Sequence, residues 1–184
     1  MNRDNFQSDE EFYMYLYLEE LKSRELADYK YQSRSFTLFE GSKHKLKFKK
    51  GAITPRDVSY TADFVITWHP QLRSTLFSLA RTNDEKTPFV AVEQNGFFFS
   101  IIDVKGSFAG KNNTSAVTFP LKQKWMLEKF GIYVQKIIPI SKTKGLFVDT
   151  FTPVKYLLTP TGKERKLHYK PLMINKYLEI NGIK

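Results

Sequence analysis

The stretch FFFSIIDVKG, Phe97 to Gly106, decides how this chain is read. Alternate side chains of an extended strand share a face, so Phe97, Phe99, Ile101, Asp103 and Lys105 project the same way. An apolar stripe therefore ends in an acid and a lysine two residues apart. Phe89 to Glu93 precedes it across Gln94-Asn95-Gly96, a turn signal that predicts a β-hairpin. A second alternating stretch, SYTADFVITW from Ser59 to Trp68, sets Tyr60, Ala62, Phe64, Ile66 and Trp68 against Thr61, Asp63, Val65 and Thr67. It reads as one half-buried strand interrupted by Asp63, and a carboxylate in such a pattern is costly unless it is paired or binds a metal.

Working outward, Ser8 with Glu11 forms a capping-box pattern, and Phe12, Tyr15, Leu16 and Leu21 recur at helical spacing, which predicts a helix from Ser8 to about Arg24. Tyr29 to Gln32, Ser35 to Phe39 and the basic run KHKLKFKK read as short strands paired in a meander, closed by Gly51 and Pro55. Leu72, Leu76 and Leu79 suggest a short helix before a polar loop. After the loop GSFAGKNNTS, Thr118 to Phe130 reads as a helix with Pro120 in its first turn and Gly131 past its end, followed by an apolar strand from Ile132 to Ile140. This order implies an α/β layered core with a strand-helix-strand crossover.

Composition narrows the chemistry. The 184 residues suit one domain, and 41% hydrophobic content is enough for a core without staples. Cysteine is absent and the three histidines are scattered, which excludes thiolate zinc sites and cysteine nucleophiles. The N-terminus is polar and no stretch approaches the length of a membrane span, so the expectation is a soluble protein of a reducing cytoplasm. The net charge of +10 favours polyanionic partners. In an extended run Lys43, Lys45, Lys47 and Lys49 would form one basic stripe. Lys111 in the loop and Lys122, Gln123 and Lys124 on the helix are further candidate nucleic-acid contacts. The last third adds Lys155, Lys163, Arg165, Lys166, Lys170 and Lys176, interleaved with Tyr156, His168 and Tyr169 as possible stacking groups.

The pairing of Asp103 with Lys105 matches the needs of phosphodiester hydrolysis. Carboxylate oxygens hold Mg²⁺, and a nearby lysine orients or deprotonates the attacking water. Asp63 is the candidate second acid, brought in on an adjacent strand, and the carbonyl of Val104 is a natural further oxygen ligand.

The succession YTADF, IIDVKG and FPLKQKWMLEKFGIYV resembles the small phage-encoded PD-(D/E)xK endonucleases of the restriction-endonuclease-like superfamily. The likeness covers roughly Ser8 to Ile140 and is most specific at Tyr60 to Phe64 and Asp103 to Gly106. It implies a restriction-endonuclease-like α/β core, a mixed central sheet flanked by helices, over residues 1–140, with residues 141–184 as a basic C-terminal extension. It implies Asp63, Asp103 and Lys105 as catalytic residues and Mg²⁺ as cofactor, with Mn²⁺ able to substitute. A glutamate from the first helix often joins such sites, which nominates Glu11, or Glu10 beside it. Superfamily members resemble Holliday-junction resolvases, so branched DNA is the expected substrate and a homodimer the expected assembly. Nicking or restriction-like cleavage, and a non-catalytic nucleic-acid-binding accessory protein on the same fold, are the alternatives. The chain departs from the pattern in a long segment between Asp63 and Asp103 and in the tail after Ser141.

Overall fold

Ser8 starts the first helix as expected: its Oγ accepts the Glu11 N–H at 3.1 Å, and α1 runs Asp9–Lys22. Met14, Tyr17, Leu18 and Leu21 line one stripe at helical spacing, and Tyr15 and Leu16 are buried as well. A helix buried on so much of its circumference must be covered on two sides. The computed structural model, which describes residues 1–42, 44, 46–48, 51–72, 92–106, 114–141 and 145–183, supplies both covers.

One cover is a five-stranded mixed sheet. β1 (Ala27–Tyr31) begins the chain's extended part, followed by β2 (Ser35–Phe39), β3 (Leu46–Phe48), β4 (Gly51–Ile53), β5 (Val58–Thr61), β6 (Phe64–Trp68), β7 (Val92–Gln94), β8 (Phe97–Val104) and β9 (Gln135–Ile137). The main sheet runs β1-β6-β8-β7 with antiparallel neighbours, and β9 adds in parallel to the end of β8. β7 and β9 share one edge of β8, β7 against Phe97–Phe99 and β9 against Ile102–Val104. Asn95 and Gly96 close the β7–β8 hairpin with positive φ values of 54° and 77°, the conformation that an Asn-Gly turn supplies.

The other cover is the C-terminal third. α3 (Leu146–Asp149), a short turn at Val154–Leu157 and α4 (Ile174–Ile180) follow one another, and the sequence reading expected no helix there. Phe147, Phe151, Tyr156, Ile174 and Tyr177 join α1 and Phe64, Ile66, Phe98, Ile102 and Val104 of the sheet in one cluster. Tyr17 stacks on Phe151 at 4.2 Å and bonds the Thr150 hydroxyl at 3.1 Å, while Glu20 accepts the Val154 N–H at 2.8 Å.

On the opposite face of the sheet, α2 (Thr114–Phe130) packs Met126 with Phe36, Leu38, Tyr60, Ala62, Ile101 and Val134. The chain is thus mixed α/β, with a mixed sheet flanked by helices. α2 connects the parallel strands β8 and β9, which realises the expected crossover. Among the described residues no helix is long and apolar enough to cross a membrane.

Four expectations need correction. The N-terminal extended pieces do not pair as a meander: β1 pairs with β6, β2 with β5, and β3 with β4. Burial decides the first two, because α1 covers the face of β1 whereas Phe36 and Leu38 of β2 belong to the α2 cluster. Ser59 to Trp68 is not one strand but β5 and β6, in different sheets, joined at Ala62-Asp63. The Asp63 carbonyl there accepts the Gln32 N–H at 2.8 Å and its side chain bonds Val104, so the chain turns between sheets without losing its alternation. α2 begins at Thr114, a turn before the predicted start, with Pro120 inside it, where only the bond to the carbonyl of Ala116 is forfeited. The strand predicted over Ile132 to Ile140 shrinks to Gln135–Ile137.

Candidate active site

The end of β8 brings the two aspartates near one another. β6 and β8 are paired up to Phe64 and Ile102, and Asp63, in the bend just before β6, reaches the Val104 N–H beside Asp103. The charge of Asp103 is felt at Asp63, and like charges so placed repel. By strand alternation Asp103 shares the face that Ile101 presents to the α2 cluster.

Asp103 is 4% exposed. Its Oδ1 accepts the Tyr60 hydroxyl at 3.0 Å, and the Lys105 ammonium forms an ion pair with Oδ2. The ion pair is close but poorly directed, and Oδ2 accepts no well-formed hydrogen bond. Asp63 Oδ2 accepts the Val104 N–H at 2.6 Å. Burial, then the charge of Asp103, raise the Asp63 carboxyl to about 7, against the lowering pull of the Val104 bond; Glu11 adds to the rise and Lys105 opposes it. Burial and Asp103 also push the Tyr60 hydroxyl far above its ordinary value, so it stays a donor. The Lys105 side chain is 29% exposed, with its ammonium 5.7 Å from the ring centre of Phe119 on α2.

Glu11 is buried at 6% exposure, and its field reaches Asp63. Its carboxylate is already engaged: Oε2 accepts the Tyr31 hydroxyl at 2.6 Å and the Gln7 N–H at 3.2 Å, and Oε1 accepts the Ser8 hydroxyl at 3.4 Å. The reciprocal half of the capping box thus falls on the N–H of Gln7, one residue before the cap. Glu10 turns toward the other strand end, since a Cβ on Gly106 would lie 2.7 Å from Glu10 Oε1. Among the described residues no group of three or more His, Asp or Glu side chains converges closely enough to hold a metal ion, so the acids that lie near one another are the pair Asp63 and Asp103.

The candidate nucleic-acid contacts are dispersed. Lys43, Lys45, Lys49 and Lys111 lie outside the described residues. Lys47 is exposed on β3. On α2 Lys122 sits 6.0 Å from the ring centre of Tyr60, beside the acids, and Lys124 is exposed, whereas Gln123 donates to the Val134 carbonyl at 2.7 Å and ties α2 to the segment before β9. Sequence reasoning missed the hydroxyl donors Tyr60 and Tyr31. Tyr60 lies three residues before Asp63, but its role depends on its side chain reaching across from the β2-β5 sheet to Asp103 of the main sheet, which no local pattern reveals.

Two neighbouring carboxylates, one with an oxygen short of hydrogen bonds, and a lysine and a tyrosine on the second acid make a compact centre for binding a cation or moving a proton. Comparisons with protein-family models, with curated proteins and with solved structures find no match to this chain.

Proposed function

We propose that the protein is a divalent-metal-dependent DNA endonuclease with a restriction-endonuclease-like core, residues 141–184 serving as its basic extension. The observation that carries this reading is the approach of Asp63 to the end of β8, where its carboxylate holds the Val104 N–H and feels the charge of Asp103, with Lys105 at the second acid. The donor set suits a small hard cation: Mg²⁺ takes one or two carboxylates and fills the rest of its shell with water and substrate oxygens. The repulsion from Asp103 that helps raise Asp63 is what a dication would relieve. Asp63, Asp103 and the Val104 carbonyl at the same strand end would hold Mg²⁺ or Mn²⁺. When bound, such an ion supplies Lewis acidity toward the phosphate and a lowered pKa for water.

The chain's own residues do the rest. Tyr60 fixes one oxygen of Asp103, and Lys105 pairs with the other. Lys105 holds a positive charge and a movable proton where the attacking oxygen and the phosphate gain charge. Phe119 keeps the lysine stem against α2. Lys122, half-buried by the acids, is available for a neighbouring phosphate.

The branched substrate and a dimeric assembly are part of the same proposal and rest on the family likeness. The test is cleavage of labelled linear duplex, single strand, flap and four-way junction in Mg²⁺, Mn²⁺ or EDTA. The expected result is metal-dependent cutting, strongest on the junction. DNA binding without cutting in either metal would leave a non-catalytic binding protein instead.

A further inference from the structure

Glu10, which rests on Gly106 at the end of the catalytic strand, also lines a second feature. A cleft of about 470 Å³ opens between the start of α1 and the C-terminal segment, bordered by Glu10, Tyr156, Glu164, Arg165, Lys166 and Tyr169. Its size is that of a pocket for one small organic group, and too small for a duplex. Arg165 is built into its wall: the guanidinium carbon lies 4.7 Å from the ring centre of Tyr156 and 5.4 Å from that of Tyr13. Its backbone N–H is fixed on the Leu157 carbonyl at 2.8 Å. Yet Nε is buried without an acceptor, and among the described residues Arg165 forms no ion pair. A guanidinium ordered by aromatic rings with no anion is a pre-arranged partner for one. Tyr169 is held on the same wall by its hydroxyl contact with Thr152 at 3.0 Å.

We propose, resting on the nuclease reading above, that this cleft receives one unpaired nucleotide of the DNA substrate, its base against Tyr169 and the Arg165 guanidinium and its phosphate toward Arg165 and Lys166. The mixed lining fits a nucleotide better than bare phosphate. Glu10 and Glu164 would repel a free anion, but a carboxylate accepts hydrogen bonds from the exocyclic amines of a base. Bases lacking a pairing partner stack on aromatic rings and guanidinium planes whatever their identity. Glu10, which lines the cleft, also lies close to Gly106 just past the end of β8, and so links the cleft to the strand that carries Asp103 and Lys105. An enzyme so equipped selects DNA in which that nucleotide is already unpaired, as at a branch point or flap, because extracting it from a duplex costs unstacking energy.

The experiment uses the full chain in Ca²⁺ with a fluorescent flap DNA carrying 5-iodouracil at the unpaired nucleotide beside the branch, and a matched linear duplex. Irradiation should cross-link the flap to Tyr169 or its neighbours, read by mass spectrometry. Arg165→Ala and Tyr169→Ala should lower flap affinity about 10-fold or more while shifting duplex affinity less than about 2-fold. Arg165→Lys, which keeps charge but loses the plane, covers the case in which the alanine variant does not fold. Cross-links that map elsewhere, or equal losses on flap and duplex, overturn the proposal. The wild type is assayed in parallel for cutting in Mg²⁺: cutting with no cross-link in the cleft removes only the nucleotide cleft, whereas cross-linking there without any cutting removes the nuclease reading and keeps the binding site.

Discussion

The two faces of β8 have been given opposite jobs. Phe98, Ile102 and Val104 enter an aromatic core shared with α1 and the C-terminal third, where the Tyr17 hydroxyl finds Thr150 and the Trp68 indole finds Ser100 at 2.8 Å. One residue from Ile102 and Val104, on the other face, Asp103 is as deeply buried as its neighbours, yet it is a charged group held by Tyr60 and Lys105 within reach of a second acid. A buried charge is costly unless it is paired. One face of the strand is given to apolar packing and the other to ionisable groups, which puts stability and chemistry on opposite sides of a single sheet.

The comparison can be broken most sharply at Lys105. Lys105→Ala should lower single-turnover cleavage in Mg²⁺ by about 10² to 10⁴ while DNA affinity in Ca²⁺ stays nearly constant. From sequence alone the fold would be expected to be indifferent to this change. The ion pair with buried Asp103 alters that expectation, since removing the lysine leaves a carboxylate without its counter-charge. Stability of the variant should therefore fall, which urea unfolding would read. More than a tenth of the wild-type rate remaining in the variant would deny Lys105 a part in the chemistry.

On the opposite face, Phe151→Ala should cost about 3–5 kcal/mol in urea unfolding, because a fully buried ring stacked on Tyr17 is lost. Cleavage per folded molecule should hardly change. A large drop in turnover of the folded variant would show that the two faces are not separate.

The next effect is a dependence on pH. The Asp63 carboxyl is raised to about 7, so its contribution to folding is fully present below its unfolded value near 4 and is lost as pH rises through about 7. Metal-free protein should lose stability across that window, by about 1.4 kcal/mol for each unit by which the carboxyl is raised. Asp63→Asn, whose amide oxygen can still accept the Val104 N–H, should flatten the curve. Calorimetric unfolding from pH 4 to 8 checks this, and an Asn variant with an unchanged pH profile would mean that Asp63 is not strained.

Smallest is Tyr60→Phe, which deletes one hydroxyl donor to Asp103 Oδ1 and should cost about 1–3 kcal/mol. A double-mutant cycle with Asp103→Asn isolates the bond, and a coupling near zero would reduce Tyr60 to a packing residue.

Much of this was legible in the residues themselves. Alternation placed Asp103 on a strand, the Ser8 cap and the spacing of Phe12, Tyr15, Leu16 and Leu21 located α1, and the Asn-Gly pair specified the hairpin, because each signal is carried by neighbours in sequence and by local sterics. What the sequence could not decide were the partners: that β1 would choose β6 over β2, that the chain would change sheets at Asp63, and that Glu11 would be held by Tyr31, twenty residues away. Pairing between distant segments depends on which apolar faces bury together, a property of the assembled layers that leaves no periodic trace. The same holds for the C-terminal third, whose lysines and tyrosines read as a charged tail. Only the packing of Phe147, Phe151 and Tyr156 against α1 turns them into a wall of the cleft that Glu10 also lines.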